Sequence, residues 1–306
     1  MDGGIDDALA LILALQSPEL EIAGITAVSG NVTVDQAATN ALRVLELLGR
    51  NDVWVAKGLA NPLIRDPIRA TDFHGKDGLG DSNLPLPKLK VHERSALDMI
   101  PEEISSSKRH GLTLIATGPL TNIAALLTKD PEAAGKIDDL IIMGGAFGLT
   151  EYGHGNETPA AEFNIYSDPE AAKIVFESGA PLKAVGLDVT MFPEAQLAQK
   201  DYDRLRKAET KVARFASSIL SKTMKKWGRF TLHDPMAVAA KAKPSLFHLQ
   251  KHRVLVETKG EHTTGITVVD RRDWLPESKR SGRSIMVCNK VRLGEFKSLI
   301  LSCLLK

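Results

Sequence analysis

At 306 residues and 43% hydrophobic composition the chain can bury a sizeable core, as one large α/β domain or as two small ones, and a single domain over 1–306 is expected. Lys and Arg number 39 against 38 Asp and Glu, a formal charge of +1, which gives a polyanion such as nucleic acid no electrostatic footing. Two cysteines, Cys288 and Cys303, are too few for a disulfide scaffold and no apolar run is long enough to span a bilayer, so a soluble protein of the reducing cytoplasm is expected.

The first element carries the most information. Asp2, Asp6 and Asp7 gather around Gly3-Gly4 and run directly into the apolar segment Leu9 to Leu15. The glycines permit a tight turn, so Asp2 is expected on a loop and Asp6 and Asp7 in the first turn of a helix that is apolar on nearly every face and therefore buried. An Asp at such a position stabilises a helix by about 0.5–2 kcal/mol without any chemistry, and that reading suffices for Asp6 alone. Three carboxylates at one turn repel one another unless a cation sits among them, and a hard ion such as Ca²⁺ or Mg²⁺ suits oxygen donors. A phosphate-binding glycine loop is disfavoured, because these acids would repel the anion.

Leu20 to Val28 then reads as a buried strand ending at Ser29-Gly30-Asn31, and Val34 to Leu48 as a helix closed by Gly49. Asp52 to Ala56 is a short strand, followed by a long polar region from Ala60 to Pro87 without periodicity. Ala96 to Ile104 is helical, Leu112 to Ala116 a strand, and Thr117 to Asn122 turns into a helix through Leu127. Ile137 to Met143 is a strand, Asp168-Pro169 caps and opens a helix, and Pro181 to Val189 is one more strand. Pro193 to Trp227 reads as helical, His233-Asp234-Pro235 opens another helix, and Arg253 to Glu257 pairs antiparallel with Gly265 to Val269. Ser284 to Val287 is a last strand before a terminal helix, Leu293 to Leu305. Strands separated by helices in this order predict an α/β fold with a mostly parallel open sheet covered on both faces.

The run Asp2-Gly3-Gly4-Ile5-Asp6-Asp7 resembles the opening signature of the nucleoside hydrolases, the inosine-uridine preferring N-ribohydrolases. Gly24 to Val32, the His74-Gly75 to Gly78-Leu79-Gly80 loop, Ala116 to Asn122, Met143 to Ala146, Gly155-Asn156, Pro159 to Asn164 with Asp168 to Ala172, and His233-Asp234-Pro235 are similar to further signatures of that family, in its order. Measured against the family pattern, Met1 stands between the positions of the first two acids, so the leading Asp and the first strand have no counterpart: either the sequence is a fragment or a shortened gene product, or another segment supplies that strand.

The resemblance implies hydrolysis of the N-glycosidic bond of purine or pyrimidine ribonucleosides to base and ribose, by a homodimer or homotetramer. It places a Ca²⁺ on Asp2, Asp7, Asp234 and the backbone carbonyl of Thr117, with Asp2 also the general base. Asp6, Asn156, Glu162 and Asn164 would bind ribose, with Met143 beneath the sugar and His74 lining the cleft. His233, near neutrality in pKa, would protonate the departing base. Bland readings stand beside these: Asp234 as an N-cap like Asp168, for which capping alone is expected, and Asn156, Glu162 and Asn164 as a polar loop. Trp227 and Phe230 are either a platform for the base or core. Two other readings stay open, a nucleoside-binding homologue impaired in catalysis and, on the shared Asp-rich opening, a haloacid-dehalogenase-like phosphatase.

Overall fold

A computed structural model describes residues 1–107 and 111–306. Helix α1 (Ile5–Gln16) is buried from Ile5 to Ala14, as its apolar circumference requires. Strand β1 (Gly24–Ala27), helix α2 (Val34–Leu47) and strand β2 (Trp54–Lys57) form a parallel βαβ unit, with Thr33 capping α2 through Gln36 N–H. The expected long irregular region contains one short helix, α3 (Thr71–His74). Then come α4 (Ala96–Ser106), β3 (Thr113–Ala116), α5 (Thr121–Lys129), β4 (Asp139–Met143), α6 (Phe163–Ser167), α7 (Pro169–Glu177), β5 (Leu182–Val185) and α8 (Leu187–Thr190). The last third holds β6 (Leu197–Ala198), α9 (Gln199–Lys207), α10 (Lys211–Trp227), β7 (Arg229–Phe230), α11 (His233–Ala242), β8 (Phe247–Val256), β9 (Thr267–Val269), β10 (Arg283–Val291) and α12 (Leu293–Leu304).

The main sheet has the order β3-β4-β5-β10-β8-β9. It is parallel from β3 through β10 and antiparallel thereafter. Alternate residues of β4 enter opposite cores: Ile141 and Met143 join the cluster built on α1, α2, α10, α11 and α12, while Leu140 and Ile142 join that of α4, α5 and α7. Both faces are therefore covered, as the strand-helix alternation predicts.

Several boundaries differ from the sequence reading. Only Gly24–Ala27 of the stretch from Leu20 is strand, since no ladder partner lies beside Leu20 to Ala23 among the described residues. The strand expected to run to Val189 stops at Val185, where Gly186 turns the chain into α8. The helical reading of Pro193 to Trp227 breaks twice, and Thr210 caps α10 by accepting Ala213 N–H at 3.1 Å. The expected Ser284 to Val287 strand is the centre of a longer one, and β8 begins at Phe247 rather than Arg253.

Asp168 does more than cap. One carboxylate oxygen accepts Ala171 N–H at 3.0 Å, while the other accepts Leu63 N–H at 2.9 Å and the Thr121 hydroxyl at 2.7 Å. It thus ties α7 to the start of α5 and to the irregular segment. Asp168→Ala removes the cap and strands two donors, and urea denaturation is expected to show a loss of about 2–4 kcal/mol; a loss below about 1 kcal/mol would contradict the cross-linking role.

Candidate active site

The N-terminus of α1 gathers the acids. Asp7, in its first turn, reaches back to accept Gly4 N–H at 2.8 Å on Oδ2, and on Oδ1 accepts the Thr117 hydroxyl at 2.7 Å. Asp2 accepts the Asn31 backbone N–H at 2.7 Å and the Asn31 side-chain amide at 2.8 Å. That close approach requires glycine nearby: a Cβ on Gly30 would stand 2.0 Å from Asp2 Oδ2. Asp234 lies within the first turn of α11 rather than at its cap, so the expected capping role is not the one it occupies. Thr117 follows β3, and α11 packs on α1, so the acids converge beside the carboxyl ends of the parallel strands.

Oxygens of Asp6, Asp7 and Asp234 lie within 4.8 Å of one another, and all three residues are buried. Burial pushes the Asp6 carboxyl up to about 8, with the neighbouring Asp7 charge adding to the shift. Burial and Asp7 likewise raise Asp2 well above the usual carboxylate range, and burial with repulsion from Asp6, Asp7 and Asp2 does the same to Asp234. Asp6 Oδ1 is buried and finds no hydrogen-bond partner among the described residues. A set of close, buried carboxylate oxygens with one orphaned lone-pair atom fits a hard divalent cation. Of the expected metal ligands, Asp7 and Asp234 stand in this cluster with Asp6 beside them; Asp2 adjoins it with both oxygens held by Asn31, and Thr117 meets it through its hydroxyl.

His74, at the end of α3, accepts Ile5 N–H on Nδ1 at 3.1 Å and so caps α1; Nδ1 also lies 3.8 Å from Asp6 Oδ1. With Nδ1 used as an acceptor the ring is neutral, in keeping with burial that holds its pKa down at about 4. The contact with Asp6 is therefore not an ion pair. His233 bonds the Thr190 hydroxyl through Nδ1 at 2.8 Å. Its expected near-neutral pKa is corrected to about 4, because burial and then His74 disfavour the imidazolium.

The expected ribose block is divided in its bonding. Glu162 is buried and caps α6, accepting Asn164 N–H at 2.9 Å and Ile165 N–H at 3.1 Å, and it also accepts Gly145 N–H at 3.0 Å. Burial pushes its carboxyl up to about 7. Asn164 donates to the Met143 carbonyl at 3.1 Å, while its Oδ1 is buried without a partner among the described residues. Met143 itself is buried in the core at the end of β4. Asn156 is exposed and accepts Phe163 N–H at 3.0 Å. Phe230 is core, at 1% exposure, whereas Trp227 is 41% exposed and stacks on Phe73 at 4.9 Å. Phe73 meets His74 edge-on at 4.9 Å.

Sequence reasoning missed Asn31, Asn40, Phe73 and Thr190. Asn40 holds the opening turn by donating to the carbonyls of Gly3 and Asp77, both at 2.8 Å. A polar residue on the otherwise apolar inward face of α2 is the signal that marks it.

Comparison with known proteins places these features among relatives. The family described as inosine-uridine preferring nucleoside hydrolase matches residues 1–298. The chain is 46% identical over 277 residues to the pyrimidine-specific ribonucleoside hydrolase RihA of Citrobacter koseri, covering 88% of this chain and 86% of that protein. The same enzyme of Shewanella oneidensis is also 46% identical, over 88% of this chain and 85% of its own length. Among solved structures, a plant nucleoside hydrolase superposes with a TM-score of 0.91 at 33% identity, covering 100% of this chain and 97% of that one. A purine-preferring ribonucleoside hydrolase from Gardnerella vaginalis gives 0.87 at 34% identity, with 99% and 96% coverage.

The raised carboxyls give stability a definite pH dependence in the presence of a chelator. Asp6 keeps its proton to about 8 in the fold but releases it near ~3.9 when unfolded, so its contribution is full below the lower value and is lost as pH rises through the upper one. His74 and His233, lowered from 6.5 to about 4, act in the opposite direction only below 6.5. Between pH 6.5 and 8 the melting temperature of the chelated protein is therefore expected to fall, and excess divalent cation to remove most of that slope. A flat profile under chelation would contradict repulsion within the cluster.

Proposed function

This chain belongs to the inosine-uridine preferring nucleoside hydrolase family, a family of enzymes, and on that premise we propose that it cleaves the N-glycosidic bond of pyrimidine ribonucleosides to free base and ribose. The observation that carries the reading is the buried carboxylate cluster at the start of α1, with Asp6 Oδ1 unpartnered. The pyrimidine preference rests on the higher identity to the pyrimidine-specific relatives than to the purine-preferring structure. We take the cation to be Ca²⁺, held by Asp2, Asp7, Asp234 and the Thr117 carbonyl; when bound it supplies charge that acidifies water and steadies ribose hydroxyls.

The chain's own residues carry the remaining steps. Asp2, fixed by two Asn31 donors, takes the proton of the attacking water on its carboxylate. Asp6 accepts from a ribose hydroxyl, and Asn164 offers its free Oδ1 to another. Glu162 and Asn156 shape this loop by accepting its backbone N–H groups, and Met143 packs under it. The sugar develops oxocarbenium character as the base leaves, and surrounding carboxylates favour that charge. Thr190 orients His233, whose neutral ring donates a hydrogen bond to the departing base; His74 lines the cleft, and the Trp227–Phe73 stack is its aromatic wall. Cys288 and Cys303, both buried and unpaired, support a cytoplasmic setting, and exposed Ile64, Leu86 and Trp274 offer apolar contact for a homodimer or homotetramer.

Ribose release from uridine or cytidine with Ca²⁺ is the decisive assay; nucleoside binding without ribose would favour the impaired homologue. Asp7→Ala is expected to abolish cation binding and turnover together, and unchanged turnover would refute the metal assignment. His233→Ala should lower kcat by about 10²–10⁴-fold with little change in KM. An activated aryl riboside, which needs no help in leaving, should restore most of the rate.

A further inference from the structure

A near-neutral total hides one local excess of charge. Helices α9 and α10 and the loop after α3 enclose an open cavity of about 640 Å³, in which, among the described residues, Arg206, Arg214, Lys222 and Lys225 face a single acid, Asp81. Asp81 takes Lys222 at 2.6 Å, a bond that raises the lysine's pKa, and the charges of Asp77 and Asp72 add to it. The other three cations have no such partner: among the described residues their side chains make no hydrogen bond and no ion pair.

The donors around this cavity are held in place. Along α10, Arg214, Ser218, Ser221 and Lys225 recur at i, i+4, i+7 and i+11, one stripe about 16 Å long. The inward side of α10 is pressed on the loop, where a Cβ on Gly80 would stand 2.2 Å from the Ile219 carbonyl. Arg206 of α9 lies over the Tyr202 ring, 5.9 Å from its centroid, and the Tyr202 hydroxyl donates to the Ser217 carbonyl at 3.2 Å, which fixes that guanidinium beside α10. From the loop, Ser82 stands between Asp81 and Asn83, both left-handed (φ +54° and +51°), and its inaccessible hydroxyl finds no partner among the described residues. The Ser218 and Ser221 hydroxyls are likewise uncommitted there.

We infer that this cavity binds a small polyphosphate, with the phosphate chain laid along the α10 stripe. The unpaired cations Arg206, Arg214 and Lys225 call for a ligand of about three negative charges or more, which a single phosphate group does not carry. Guanidinium forks and hydroxyls donate where phosphate oxygens accept, and the two arginines reach the ligand from two different helices. An overall charge of +1 leaves no extended basic track, so a compact ligand fits and a nucleic acid does not. The site shares no residue with the acid cluster and holds whether or not the nucleoside reading does.

The test titrates the full chain by calorimetry with inorganic tripolyphosphate and, separately, with a nucleoside triphosphate, in chelator so that no metal bridges either ligand to the acids. One saturable site is expected for each, weakened about tenfold as ionic strength rises from about 0.05 M to about 0.5 M. Arg206→Gln combined with Arg214→Gln, both exposed, should weaken binding about a hundredfold with an unchanged far-UV spectrum, and Lys225→Gln alone about tenfold. Lys226→Gln, which removes a neighbouring cation that lies over Trp227 instead, should leave binding unchanged. Equal affinity for the two ligands assigns the site to the phosphate chain alone, and tighter binding of the nucleoside triphosphate adds a contact to its nucleoside. No saturable binding, citrate bound as tightly, a double variant that binds like the parent, or Lys226→Gln weakening binding as much as Lys225→Gln overturns the proposal.

Discussion

Mutual repulsion among four aspartates in a dry place is the constraint to which this fold answers. Asp2, Asp6, Asp7 and Asp234 are all nearly inaccessible, and a carboxylate removed from water is costly unless something replaces its hydration. The replacement is partly built in. The first turn of α1 brings its positive dipole end to the acids, Gly4 N–H donates to Asp7, and Asn31 and Thr117 bring donors from two other segments. The orphaned oxygen of Asp6 marks where the protein's own donors run out.

That arrangement explains the division of labour around it. Residues expected to touch a sugar, Glu162 and Asn156, spend their acceptors on their own loop. A binding group is useful only if its loop holds still, and a buried carboxylate taking three backbone N–H groups achieves this more firmly than a solvated turn. Asn164, held through Met143, keeps its remaining oxygen unspent as a result.

Much of this was legible in the residues. The apolar circumference of α1, the Asp168-Pro169 cap and the antiparallel β8–β9 pair followed from period and capping chemistry alone, and the acid cluster from three Asp around two Gly. The limits were equally physical. Asp234 and Asp168 precede proline alike, yet one sits inside its helix and the other caps it, because a dipeptide does not say where the helix begins. The low pKa of His233 depends on enclosure by residues far away in sequence, and Thr190, its hydrogen-bond partner, carries no local mark. Position 208–210 ended a helix that composition alone would have continued, although Thr210 had the chemistry of a cap.

One small contact has a mechanical consequence. Trp227 ends α10, immediately before Gly228, whose left-handed backbone (φ +66°) closes that helix and reverses the chain. Its ring rests on Phe73, Phe73 leans on His74, and His74 holds the first amide of α1. Three rings in series therefore form a tether from the solvent-facing rim to the root of the acidic turn, and the rim cannot swing outward without slackening the grip on the helix that presents Asp6 and Asp7.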